Sequence, residues 1–166
     1  TEIGGVQLSI TSLSELTAAI FSIITSVERN APDAQLDGIL IESMINNAIL
    51  ELMVNLRRDP QFGLVLTVAS GGVMTEIYKD ASTVLVPTDD ISLIAALESL
   101  HIAPLFNGFR GGPAASRTAV LDQIKCLVSL MESTPDIIEI EINPLMVSTD
   151  YACCADALIS ISGTTA

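Results

Sequence analysis

The 166 residues carry 20 Asp and Glu against seven Lys and Arg, a formal net charge of −13, with 49% apolar and only 16% charged residues. Seven cations scattered from Arg29 to Lys125 form no basic stripe, so nucleic acid, held mainly by phosphate-neutralising Lys and Arg, is excluded as a partner, and anionic membrane surfaces are disfavoured. Mean hydropathy is +0.56, yet the most apolar helical stretch, Ala18 to Val27, falls far short of the roughly 20 residues of a spanning helix. The reading is a single domain of ordinary size, 1–166, whose apolar surface predicts self-association into an oligomer.

Ser12-Leu13-Ser14-Glu15 has capping-box spacing and precedes Leu16, Ile20, Ile23, Ile24 and Val27 at helical intervals, which predicts a helix from about residue 13 to Arg29. Ile39-Leu40-Ile41, Leu50 to Leu56 and Leu64 to Val68 read as three strands of an antiparallel meander, separated by Asn46-Asn47 and by Asp59-Pro60-Gln61-Phe62-Gly63. A fourth extended stretch is expected around Glu76 to Val86, closed by Pro87. Thr88-Asp89-Asp90 introduces a short helix reaching Leu100, and Val120 to Met131 forms a longer one that stops before Pro135. The glycine-rich stretch 104–113 between them is expected to be an irregular loop. Ile137 to Val147 and Ala152 to Ile161 alternate in polarity around Ser148-Thr149-Asp150-Tyr151, which predicts a hairpin. Cys126, Cys153 and Cys154 read as reduced core thiols of a cytoplasmic protein. The fold class is α+β, an antiparallel β-sheet with packed helices.

The hairpin is the segment richest in chemistry. Glu139, Glu141 and Asn143 alternate with Ile138, Ile140 and Ile142, so one face is apolar and the other presents oxygen atoms. With a four-residue loop, Val147 faces Ala152 and every facing pair sums to 299, which sets Asn143 opposite Asp156. Opposed residues have Cβ atoms about 5 Å apart, close enough for an amide oxygen and a carboxylate to share one hard cation such as Mg²⁺. Asp156 stands alone in an apolar run, where a carboxylate is costly unless paired or bound to metal. The alternative is that Asn143-Pro144 turns the strand end and Asp156 accepts backbone hydrogen bonds.

Other polar positions are weaker signals. Gly71-Gly72 after a strand suits either a plain turn or a close backbone approach to phosphate. Glu42 and Glu51 fit solvated strand faces. His101, the only histidine, invites a phosphoryl-carrier or base role, but its place directly after Leu100 also suits the end of a helix.

Taken together, Thr1-Glu2-Ile3-Gly4-Gly5-Val6, Asp37-Gly38-Ile39-Leu40-Ile41-Glu42, Arg58-Asp59-Pro60-Gln61-Phe62-Gly63, Gly71-Gly72 with Glu76 and Lys79-Asp80, Gly108-Phe109-Arg110-Gly111 and Glu141-Ile142-Asn143-Pro144-Leu145 resemble the nucleotide-binding domain of the ADP-forming acyl-CoA synthetases, which include the succinyl-CoA synthetase β chain and use the ATP-grasp fold. The resemblance covers nearly the whole chain in order. It implies ATP and Mg²⁺ as cofactors, Glu42 at the hinge position beside adenine and ribose, Glu51 as a second nucleotide-site glutamate, and Asn143 and Asp156 as the metal-binding pair. It further implies a CoA-binding, phosphohistidine-bearing domain or chain as partner, and an acid–CoA ligase reaction that passes through phosphohistidine.

The chain also departs from that pattern. The family's ATP-grasp unit starts well upstream, with a His-Lys pair and a phosphate-contacting lysine, so the chain reads as the C-terminal part of such a domain, inactive in isolation. Asn55 stands where the family usually has glycine, and Val84 and Leu158 where it usually has arginine. The competing reading is a non-catalytic ATP-grasp-like module that senses or scaffolds, as in fusions to acetyltransferases.

Overall fold

The computed structural model describes residues 3–72 and 80–163. The chain divides into two compact units, Thr1–Asn46 and Asn47–Ala166. In the first, α1 spans Leu13–Asn30. Ser12 is its N-cap, the Ser12 hydroxyl accepting the Glu15 amide at 3.2 Å while the Glu15 carboxylate accepts the Thr11 amide at 2.7 Å. This is the reciprocal cap the sequence announced, shifted by one residue on the return bond. The rest of this unit corrects an expectation. Residues 34–48 carry no regular structure, so Ile39-Leu40-Ile41 is not a strand. A β-branched run is only a weak prior until a neighbouring strand supplies its hydrogen bonds.

The second unit is an antiparallel sheet with helices on it, as expected for the α+β class. Its strands are β1 (Leu50–Asp59), β2 (Gly63–Ser70), β3 (Ala81–Val86), β4 (Ile137–Val147), β5 (Ala152–Cys154) and β6 (Ala157–Ile161). The order is β3-β2-β1-β4-β5, with β6 also paired to β4. The stretch expected from Glu76 thus begins, among the described residues, at Ala81, and Glu76, Ile77 and Lys79 lie outside them. Helices α2 (Asp90–Glu98) and α3 (Arg117–Ser133) follow β3, linked by a 3₁₀ turn over Ala103–Asn107 where a wholly irregular loop was expected. Pro104 suits that turn because its missing amide falls at a helix start.

One core holds this unit together. Leu52, Val54 and Leu56 of β1, Leu66 and Val68 of β2, and Ile140, Ile142, Leu145 and Val147 of β4 bury one sheet face against Leu93 and Leu97 of α2 and Val120, Ile124 and Met131 of α3. The β1–β2 connection shows why Arg58-Asp59-Pro60-Gln61-Phe62-Gly63 is so specific a string. Asp59 Oδ1 accepts the amides of Gln61 (2.9 Å) and Phe62 (3.1 Å), closing the turn, while Arg58 donates to the carbonyls of Ile137 and Met131 and so ties the α3–β4 corner to β1. These motif residues serve the scaffold. The cysteines correct another expectation: Cys126, Cys153 and Cys154 are free thiols, but all three are exposed.

Candidate functional site

The β4–β5–β6 arm carries the predicted pair. Val147↔Ala152, Met146↔Cys153 and Leu145↔Cys154 hold on one side, and Ile142↔Ala157, Glu141↔Leu158 and Ile140↔Ile159 on the other, so the register read from the sequence holds as far as Glu139↔Ser160 and shifts by one only at Ile137↔Ile161. Asn143 and Asp156 oppose each other in the gap between β5 and β6, where the Asn143 amide donates to the Asp156 carbonyl at 3.2 Å. The gap matches a bulge on the other side of β4: Leu52 pairs with Leu145 but Val54 with Ile142, so β4 has one extra residue there. A bulge re-aims side chains at the point where pairing is interrupted. Asp156 is exposed, so the desolvation argument for it does not hold; opposition in the register is what singles it out.

Glu51, Gly71 and Gly72 complete the cluster. The Gly71 amide donates to the Glu51 carbonyl at 2.9 Å, and a Cβ on Gly71 would lie 2.6 Å from the Leu52 carbonyl carbon. Gly72 has φ +72°, the Glu51 carboxylate fills the place a Cβ would take, and the Gly72 amide donates to Asn143 Oδ1 at 3.1 Å. The glycines are therefore demanded by contact with β1, and they link Glu51 to Asn143 and through it to Asp156. Glu42 behaves differently. It is exposed on the irregular part of the first unit, not on a strand.

Sequence reasoning missed a second cluster beside the first. Asp80 is only 7% exposed. Its carboxylate accepts the Ser70 hydroxyl at 2.5 Å and the His101 amide at 2.9 Å, and His101 Nδ1 lies 3.0 Å from Asp80 Oδ1. Burial opposes ionisation, but the Ser70 and His101 hydrogen bonds outweigh it and hold the Asp80 carboxyl below the usual range. No local pattern marks a contact between residues 21 apart. A cleft of about 520 Å³ opens here, lined by Glu51, Ser70, Gly71, Asp80 and His101 among others.

Among the described residues no three His, Cys, Asp or Glu side chains converge as a metal cage. The Asn143–Asp156 pair offers oxygen donors alone, which suits Mg²⁺: that ion keeps several waters and takes one or two carboxylates plus substrate phosphates. Among the described residues, no helix is long and apolar enough to cross a membrane.

The model of the ATP-grasp domain family matches residues 1–161. The chain is 30% identical over 147 residues to an ADP-forming acetate–CoA ligase I of Archaeoglobus fulgidus, covering 89% of this chain and 21% of that protein. It is 31% identical over 157 residues to the β subunit of the ADP-forming acetate–CoA ligase I of Pyrococcus furiosus, covering 95% of this chain and 67% of the subunit. The chain thus spans about a fifth of the first relative and two thirds of the second. Among solved structures, dinucleotide-forming acetyl-coenzyme A synthetase 1 of Ca. Korarchaeum cryptofilum, in complex with coenzyme A and Ca-AMPCP, matches with a TM-score of 0.88 and 28% identity over 97% of this chain and 70% of that one. A selenomethionine form of the same synthetase with Mg-AMPPCP matches with a TM-score of 0.81 and 25% identity, over the same shares of the two chains.

Proposed function

We propose a function from the premise that this chain belongs to the ATP-grasp domain family, with ADP-forming acyl-CoA synthetases as its relatives. The chain is the nucleotide- and Mg²⁺-binding portion of such a ligase, the later part of an ATP-grasp unit. The overall reaction is acid, CoA and ATP to acyl-CoA, ADP and phosphate. CoA and the phosphohistidine belong to another domain or chain, and the setting is cytoplasmic. The observation that carries this reading is the run of contacts from Glu51 through Gly72 to Asn143 with Asp156 opposite.

Each residue has a part that follows from its chemistry. Asn143 and Asp156 supply the oxygen ligands for Mg²⁺, which when bound neutralises phosphate charge. Glu51 accepts hydrogen bonds from nucleotide hydroxyl or amino groups, and Glu42 does so at the hinge. The Gly71-Gly72 backbone, packed closely against Leu52 and the Glu51 carboxylate, holds that carboxylate beside Asn143. The exposed Leu158, Ile159 and Ile161 of β6 support an apolar contact with a partner or a second copy.

Leu158 favours a second reading. It is 67% exposed, lies two residues from Asp156 and faces Glu141, where the family pattern puts an arginine. With Val84 on β3 likewise apolar, an acidic site lacks cations for a triphosphate. This suits a non-catalytic module that has kept the fold and the metal pair. Calorimetry separates the two. The ligase portion binds Mg·AMPPCP weakly, needs Mg²⁺ to do so, and loses that binding in Asp156→Asn. Micromolar or tighter affinity would show that the missing cations are dispensable, and binding indifferent to Mg²⁺ and to Asp156 would sink the metal assignment.

A further inference from the structure

The end of β2 is held from two sides. Its ladder with β3 runs to Ala69↔Ala81, and Ser70 carries it one step further, its amide donating to the Asp80 carbonyl at 3.1 Å and its hydroxyl to the Asp80 carboxylate at 2.5 Å. From the far side the same carboxylate accepts the His101 amide at 2.9 Å, and His101 Nδ1 lies 3.0 Å from Asp80 Oδ1. An ionised carboxylate only accepts, so Nδ1–H is the donor. Asp80 thus joins β2, β3 and the segment after α2. Closing a sheet corner does not require a charge, because a buried carboxylate costs desolvation energy even when bonded and an apolar pair would pack there more favourably. What the carboxylate adds is a fixed direction for Ser70. The next two residues are the ones that reach the site. The Gly71 amide meets the Glu51 carbonyl at 2.9 Å, and the Gly72 amide meets Asn143 Oδ1 at 3.1 Å. An amide oxygen has two lone pairs, so accepting Gly72 N–H leaves one for a cation.

We propose that Asp80, gripped by Ser70 and His101, is a positioning residue for Asn143: it fixes where β2 ends, and through the Gly72 amide it sets the orientation in which Asn143 Oδ1 meets the metal. This rests on the Mg²⁺ reading above. Hydrogen bonds to a ligand's own oxygen orient it, and losing such a partner costs about 10- to 100-fold in metal affinity. Neither Asp80 nor His101 touches metal or nucleotide in this role. His101 acts through Asp80, and its ring is 85% exposed, so removing the ring leaves the core as it is.

The metal-free chain is the first readout and the metal the second. In Asp80→Asn, amide hydrogen exchange followed by NMR should quicken at Gly71 and Gly72 by about 10-fold beyond the change at Val54 and Val68, a local opening distinct from the global one. Mn²⁺ affinity, read from broadening at Asn143, should fall about 10- to 100-fold. Val120→Ala, a core truncation in α3, should lower the melting temperature and leave both readouts of the folded chain unchanged. His101→Ala tests the same link without disturbing the core. It should weaken Mn²⁺ about 5-fold, the scale of one hydrogen bond, and His101→Asn, whose side-chain N–H reaches the Nδ1 position, should restore it. Native exchange at Gly72 with native Mn²⁺ affinity in Asp80→Asn, or in His101→Ala where Asp80→Asn does not fold, would overturn the proposal and leave the Mg²⁺ reading standing. Equal losses in Val120→Ala would also overturn it, since Asp80 would then act through stability alone. Mn²⁺ that never broadens Asn143 in the native chain would overturn both.

Discussion

Along β1, alternate residues have different fates. Leu52, Val54 and Leu56 pair with Leu145, Ile142 and Ile140 of β4 and are buried under the helices, whereas Glu51, Asn55 and Arg57 pair with Met146, Glu141 and Glu139 on the opposite face. The first face is apolar throughout and its side chains have nowhere to move. The second mixes Met53 and Met146 with polar residues, and its contacts include side-chain hydrogen bonds such as Asn55 Nδ2 to Glu139 Oε1 at 2.8 Å. The strand period of two lets one segment supply stability on one side and oxygen chemistry on the other. Substitutions on the two faces should therefore separate into losses of stability and losses of binding.

The sharpest separation is expected at Leu52, which is fully buried. Leu52→Ala should cost about 2–5 kcal/mol, the range for emptying a well-packed aliphatic site, read as a shift in the denaturant midpoint. A cost below about 1 kcal/mol, far under that range, would mean that this face is not the core. Next comes Asp80, where the faces meet a buried polar cluster. Asp80→Asn should cost about 1–3 kcal/mol, since the Ser70 hydroxyl and the His101 amide lose a charged acceptor. Its pH dependence is specific. The folded carboxyl titrates below its unfolded value, so its contribution is full above about pH 4 and is lost as pH falls through the lowered value. The gap between native and variant stability should narrow as pH falls below about 4. A gap that widens in acid would contradict the assigned direction.

Surface charge is the control. Lys125 and Asp90 approach to 2.8 Å, but both side chains are about half exposed. Lys125→Ala should leave the denaturant midpoint nearly unchanged, and any difference should fade as salt is added. Chevron or melting data at two ionic strengths check this.

What the sequence disclosed follows from what is local. The cap at Ser12, the Asp89 cap of α2 and the hairpin register all depend on residues a few positions apart or on a loop of fixed length. The Asn143–Asp156 opposition followed from that register without reference to any relative. Residues 39–41 failed as a strand because a strand needs a partner, and local propensity is silent about partners. Cys153 and Cys154 failed as core thiols because their apolar run forms the edge strand β5, while Cys126 falls on an exposed position of α3. His101 was singled out, but its contact with Asp80 was missed because it is made only once β2, β3 and the end of α2 converge. The polar face is thus legible where pairing is short-range and opaque where it depends on the assembled fold.

The smallest effect on stability belongs to the residue with the largest expected effect on binding. Asp156 is exposed, so Asp156→Asn should alter stability by no more than about 0.5 kcal/mol. Paramagnetic Mn²⁺ in place of Mg²⁺, added with AMPPCP while backbone amides are observed by NMR, tests the metal pair most directly. The account predicts broadening that starts at Gly72, Asn143 and Asp156 and disappears in Asp156→Asn with the melting temperature unchanged. Broadening spread over the acidic surface, or unaltered in that variant, would contradict it.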